Sequence, residues 1–225
     1  MEMTLLEAIE ARHSVRKYKD QPIPDGILEI LQDKIKEINE VGKLHIQLVT
    51  EEPKAYKGIM AYGSFSGVRN YFIMAGKKAA DLDVRIGYYG EQLVLLAQTL
   101  GLSSCGVGLS FRKQPDQYIV ADDEKLYCVI ALGYGASQGV QHPMRPMEKF
   151  VNVSGVMPDW FRRGMEAVLL APTAVNQQKF EFELVDDHTV AAHARFTRIG
   201  YGQMDLGIVK YHFEVAAGKE NFVWK

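Results

Sequence analysis

The spacing of apolar residues changes period several times along the chain, and each change marks an element. Leu5, Ala8 and Ile9 share one face of a short helix opened by a capping box, Thr4-x-x-Glu7. That helix is expected to end near Arg12, since Pro22 and Pro24 in "KDQPIPDG" cannot continue it. Asp25 is placed to cap a second helix, with Ile27, Leu28, Leu31, Ile35 and Ile38 at helical spacing up to Gly42. "LHIQLVT" (44–50) alternates and predicts a strand with His45 on its polar face. "YKGIMAYGSFSGVRN" (56–70) predicts a loop, "YFIMAG" (71–76) a buried strand, and "VRIGYYGEQLVLLAQTLG" (84–101) an interior helix, apolar nearly all round and closed by Gly101. "SSCGVGLSF" (103–111) reads as a glycine-bearing turn, and "KLYCVIALGYG" (125–135) as the strongest strand.

After the loop "ASQGVQHPMRP" (136–146) the order starts again. "PDWFRRGMEAVLLAPTAVNQQ" (158–178) is a helix stopped before Pro172, "KFEFELVD" (179–186) alternates like 44–50, and "MDLGIVKYHFEVAAG" (204–218) matches 84–101 in type. Helix, alternating strand and apolar helix thus occur twice, which reads either as an internal repeat, bearing on the whole fold, or as two helix–strand–helix runs of the kind that also arise by chance. Helices and strands alternate throughout, the mark of a layered α/β or α+β protein.

Composition narrows the function. At 225 residues the chain is long enough for a substantial core, and 47% hydrophobic with 24% charged residues is ordinary for a soluble protein. A net charge of −2 argues against a general nucleic-acid binder. Glu2, Glu7 and Glu10 interrupt the first apolar residues, so no signal peptide is expected, and no apolar run is long enough to span a bilayer. Cys105 and Cys128 lack metal-ligand spacing, which predicts neither zinc nor a disulfide framework and fits the cytoplasm. The six histidines show no ligand spacing, and there is no Ser–His–Asp order, HExxH or Walker loop.

What remains is "EARHSVRKY", with Arg12, His13, Ser14, Arg16 and Lys17 close together, Arg145 in the mid-chain loop, and "APTAVNQQ" in the second half. Each has a plainer reading. Arg12 and Arg16 can complement a helix C-terminus, Arg145 can be one more loop charge, and Pro172 and Asn176 can serve a helix stop and a turn.

Together these segments resemble the nitroreductase family of FMN-dependent enzymes. "EARHSVRKY" resembles the family's R-x-S-x-R flavin motif, and "GEQLVLLAQTLGLSSCGVG" its core helix and following turn. "VIALGYG" is similar to its last core strand, and "APTAVNQQKFEFELV" to its A-P-S-x-x-N-x-Q-P segment. In the family the A-P-S-x-x-N segment follows R-x-S-x-R after the second helix. Here "IKEINEVGKLHIQLV" stands in that place without Pro or Ser, and the segment appears after residue 170, in a half that lacks R-x-S-x-R. Family homodimers build the FMN site from both subunits, so one chain with two complementary halves would keep a single composite site.

The resemblance implies an α+β nitroreductase-like fold: an antiparallel-rich mixed sheet flanked by helices, with residues 1–150 as one half and 151–225 as a shorter half completing the flavin site. It implies a monomer, an intramolecular pseudo-dimer. Arg12 and Ser14, with Arg145, would hold the FMN phosphate, for which forked guanidinium donors are matched. His13 would bond the ribityl chain, and Arg16 would lie toward flavin N1 and the C2 carbonyl, where positive charge raises the midpoint potential. Gly106, Val107, Gly108 and Leu109 would meet the N5 edge, Ser66 and Arg69 the pyrimidine edge, and Pro172, Thr173 and Asn176 would close the site. The implied activity passes hydride from NAD(P)H through FMN to an electron-poor acceptor such as a nitroaromatic or quinone. A non-catalytic flavin carrier or sensor, or a same-fold enzyme of reductive dehalogenation or flavin fragmentation, stays open beside it.

Overall fold

A computed structural model describes residues 3–56, 65–108 and 111–225. Helix α1 (Leu5–Ala11) opens with the expected capping box: Glu7 N–H donates to Thr4 Oγ1 at 3.2 Å, and Thr4 N–H to Glu7 Oε2 at 2.7 Å. It ends at Arg12, whose extended backbone no longer continues the helix. Helix α2 (Asp25–Gly42) buries Leu31, Ile35 and Ile38. Its N-cap is Pro24 without a side-chain cap, so Asp25 lies within the first turn, where its charge faces the helix dipole.

Strands β1 (Gln47–Val49), β2 (Asn70–Lys77), β3 (Ser103–Val107) and β4 (Glu124–Gly133) form an antiparallel sheet in the order β1-β2-β4-β3. Two expectations shift here. The 44–50 segment pairs continuously only over β1, with Leu44 held to Gly76 by an isolated bridge. Residues 103–107 are a strand rather than a turn, because pairing with β4 lets Cys105 and Val107 bury while Gly106 faces outward.

A second sheet holds β5 (Val151–Val153), β6 (Phe180–Leu184), β7 (Thr189–Ala194) and β8 (Val223–Trp224), in that order. Its central pair is antiparallel, and the outer strands β5 and β8 run parallel to their neighbours. The strands therefore divide between two sheets. β5 follows the β4 half of the chain and pairs with β6 in the second sheet.

Between the sheets lie α3 (Leu82–Thr99) and α5 (Gly202–Ala217), with α4 (Asp159–Leu170) packed on α5. α3 turns Ile86, Leu93 and Ala97 toward Phe72 and Met74; α5 turns Val209 and Phe213 toward Phe180 and Phe182. Where the two helices cross, glycine is required on both. A Cβ on Gly87 would strike the Met204 carbonyl oxygen and lie 3.1 Å from Ile208 N. One on Gly207 would strike the Val84 carbonyl oxygen and lie 2.6 Å from Tyr88 N. Each glycine thus meets the residue three before and the residue one after the other, the reciprocal pattern of a two-fold contact. No helix among the described residues is long and apolar enough to cross a membrane.

Candidate functional site

Beyond α1 the chain runs extended along the first sheet, and its backbone is bonded on several sides. Val15 N–H donates to Ser104 O at 3.0 Å, Ser66 N–H to Arg16 O at 3.0 Å, and Tyr18 N–H to Ser66 O at 2.9 Å. Ala136 N–H donates to Lys17 O at 2.8 Å. Val15 and Tyr18 anchor the segment in the core, and the Tyr18 hydroxyl donates to Val15 O at 2.7 Å. In an extended stretch, residues two apart share a side, which groups Arg12, Ser14 and Arg16.

Arg12 is 4% exposed, and its Nε finds no hydrogen-bond partner among the described residues. Burial pushes the guanidinium below its usual range, with Glu91 and Cys105 countering. A buried guanidinium nitrogen without a partner is costly, and an anion satisfies it. His13 is half-buried and titrates low, first from burial and then from Arg12. The Cys105 thiol is pushed up by burial, against the pull of Arg16, the Ser14 hydroxyl and Arg12. Arg16 is exposed.

The segment after α4 is held in unusual backbone geometry: Val175, Asn176 and Gln178 have φ of 48°, 55° and 47°. Left-handed φ is rare for residues other than glycine, so something must fix it. Asp205, fully buried at the start of α5, accepts from Ala174 N–H at 2.9 Å and Gln177 Nε2 at 2.7 Å. Desolvation raises its pKa to about 6, against the lowering effect of those two bonds. Thr173 Oγ1 accepts from Gln178 N–H at 3.1 Å.

The 136–146 loop connects the two segments. At Gly139 (φ 72°), a Cβ would lie 2.9 Å from His13 Cβ and 3.1 Å from Ser14 O, so only glycine permits this approach. Four residues on, the Pro143 carbonyl accepts from Asn176 Nδ2 at 3.0 Å and Gln178 Nε2 at 2.9 Å. Arg145 is exposed, and its backbone N–H donates to Gln178 Oε1 at 3.2 Å. His13, Ser14, Arg145, Thr173 and Asn176 thus gather around one loop.

The remaining predicted positions scatter around this group. Gly106 is exposed and Val107 buried; Gly108 leaves room for the Tyr201 ring, whose Cζ a Cβ would approach to 2.6 Å. Leu109 lies outside the described residues. Pro172 is partly buried. Ser66 and Arg69 line a cavity of about 440 Å³ with Tyr56 and Phe65, and the Arg69 guanidinium is ion-paired with Asp20 and Glu51. Sequence reasoning missed Asp205, Glu91 and His212, three buried polar groups on otherwise apolar helices. That contrast was the available signal, because a polar residue on an all-apolar helix must find a partner.

The fold and site define an α+β protein with a buried arginine at the head of an extended basic motif, linked by one loop to a strained segment 160 residues further on. The chain belongs to the nitroreductase family: the family model described as "Putative TM nitroreductase" matches residues 4–217. Among solved structures it resembles a Thermotoga maritima protein described as a "putative nitroreductase", 21% identical, over 96% of this chain and 84% of that one, with a TM-score of 0.65. A Desulfovibrio desulfuricans protein described as a "putative nitroreductase in complex with FMN" is 16% identical over 66% of this chain and 95% of its own, with a TM-score of 0.52. NfrA2 of Bacillus megaterium is 15% identical over 64% of this chain and 71% of its own, with a TM-score of 0.53. No curated protein sequence matches the chain.

Proposed function

We propose that the protein is an FMN-dependent oxidoreductase that takes two electrons from NAD(P)H and delivers them to an electron-poor acceptor such as a nitroaromatic or quinone. The observation that carries this reading is Arg12, a buried guanidinium with an unpaired Nε at the head of R-x-S-x-R in a chain of the nitroreductase family. Its fit to a phosphate dianion is chemical: a desolvated, forked cation beside the Ser14 hydroxyl. When bound, FMN supplies the hydride chemistry.

The chain's own residues supply the rest. Arg12 and Ser14 hold the phosphate, with Arg145 at the edge; His13 meets the ribityl chain; Arg16 faces the pyrimidine end and favours negative charge there on reduction. The backbone of 106–108 would border the reactive edge, Ser66 and Arg69 would stand toward the pyrimidine side, and Pro172, Thr173 and Asn176 would close the site.

In this reading residues 1–150 and 151–225 are two halves of a pseudo-dimer, and the functional unit is a monomer. The reciprocal Gly87–Gly207 contact supports this, as does the loop joining His13 and Ser14 to Asn176.

The test is optical and anaerobic. Protein supplied with FMN is expected to show bound-flavin bands that NADH or NADPH bleaches and a quinone or nitroaromatic restores. Bound flavin that neither nucleotide bleaches would favour a carrier, and no flavin binding at all would end the reading.

A further inference from the structure

Four helices meet at a polar pair that the flavin reading leaves unused. His212 on α5 is 0% exposed and Glu91 on α3 is 3% exposed. His212 Nδ1 lies 3.0 Å from the Ala167 carbonyl oxygen on α4, and its Nε2 lies 2.8 Å from Glu91 Oε1. A carbonyl oxygen only accepts, so Nδ1 carries a hydrogen. At 2.8 Å, Nε2 and the carboxyl oxygen must share a further proton, since two lone pairs would otherwise face each other. The pair is therefore neutral in sum, whether written as imidazolium and carboxylate or as imidazole and carboxylic acid.

Arg12 follows directly on α1, whose Ala8 and Ile9 pack with Leu95 of α3 and Ala167 of α4 beside this pair; it feels the charge of Glu91, yet no ion pair joins the two among the described residues. A lone buried carboxylate would be the natural partner of a forked guanidinium. The imidazole holds Glu91 instead. We propose that the proton shared by His212 and Glu91 keeps the charge of Arg12 available to an anion, which makes both groups positioning residues for phosphate binding. The inference rests on Arg12 as the phosphate-binding residue of the proposed function. It also ties that site to the second half of the chain, through a histidine 200 residues from Arg12.

Riboflavin, which lacks the phosphate, gives the control ligand. The quantity to measure is the ratio of FMN to riboflavin affinity. His212→Gln offers Glu91 an N–H but no extra proton, so the pair becomes negative. The ratio is expected to fall about tenfold, the low end for loss of one charge-assisted contact, with riboflavin binding unchanged. Adding Glu91→Gln removes that charge and restores the ratio. A structural role alone would weaken both flavins alike and would not be rescued.

An unaltered ratio in folded His212→Gln, or a lowered one that Glu91→Gln fails to restore, overturns the inference. Arg12→Ala separates the two levels. If it lowers the ratio while His212→Gln does not, only this inference falls; if it leaves the ratio at the wild-type value, the phosphate reading falls with it. Should His212→Gln fail to fold, the unaltered protein still decides. With nitrogen-15-labelled histidine, a slowly exchanging proton between His212 and Glu91 is expected in the NMR spectrum under conditions where FMN binds. Its absence overturns the proposal.

Discussion

Asp205 shows how a single residue can fix a strained segment at a cost that depends on pH. It has no solvent, and the two donors it satisfies, Ala174 N–H and Gln177 Nε2, only partly offset its desolvation, so its pKa stands at about 6 against 3.8 for the free group. Between these values the folded state binds more protons than the unfolded one. The stability this group contributes is therefore fully present below pH 3.8 and is lost as pH rises through about 6. A two-unit shift corresponds to about 3 kcal/mol. Exposed carboxylates such as Glu7, held low by its bonds to Thr4, act in the opposite sense, so the raw pH profile mixes both. The difference between wild type and Asp205→Asn isolates the buried group. In urea unfolding, wild type is expected to gain on the variant by about 2–3 kcal/mol between pH 7 and pH 4; a constant difference would mean that Asp205 does not titrate there. The basic motif was legible in the sequence as a local cluster of charge, whereas Asp205 was hidden because its partners lie about 30 residues away.

At the level of elements, the same substitution is expected to have opposite signs at two helical glycines. Gly207 faces backbone atoms of α3, so a Cβ has no flexible neighbour to displace and must push α3 and α5 apart. Gly207→Ala is expected to cost about 1–3 kcal/mol or more, the usual range for overpacking. Gly26, in the first turn of α2, has nothing within 4 Å of the new methyl group, and Gly26→Ala is expected to stabilise by a few tenths to about 1 kcal/mol. The reciprocal contact further requires Gly87→Ala to cost about as much as Gly207→Ala, and urea midpoints of the three variants check all of this. A mild Gly87→Ala beside a severe Gly207→Ala would break the two-fold reading of the crossing. Both glycines sit within helices recognised by their apolar residues, and the sequence showed the helices without showing why they contain glycine. The strands were less legible. β3 lacks the β-branched run that marks β4 and so reads as a turn; β5 and β8 have three and two residues, too few for any alternation to show. β7, "TVAAHA", carries alanine where a strand signal would carry Val or Ile. Their pairing partners decide their conformation, and a local pattern cannot reveal a partner.

For the whole molecule, the order of elements carried more information than any single motif. Helix, strand and apolar helix occur twice in the sequence, and the structure sets the two apolar helices against each other between two sheets. What the sequence left hidden is the 136–146 loop, whose Gly139 lies against His13 and whose Pro143 carbonyl holds Asn176, because its role is one of position. If that loop joins two halves of one cofactor site, the protein is a monomer binding one FMN per chain. Thr173 and Asn176 give the side-chain test, since neither belongs to the apolar core. Thr173→Ala removes the acceptor for Gln178 N–H. At Asn176 the left-handed φ of 55° makes glycine the cleaner replacement, because alanine would add backbone strain of about 1–2 kcal/mol to any lost contact. The paired variant Thr173→Ala, Asn176→Gly is expected to keep its fold by circular dichroism and to bind FMN about tenfold more weakly, the loss of roughly one useful contact. Mass in solution and flavin per chain complete the measurement. An obligate homodimer whose FMN affinity ignores the paired variant would return the basic motif to an intersubunit site and leave the 172–178 segment as a turn held by Asp205.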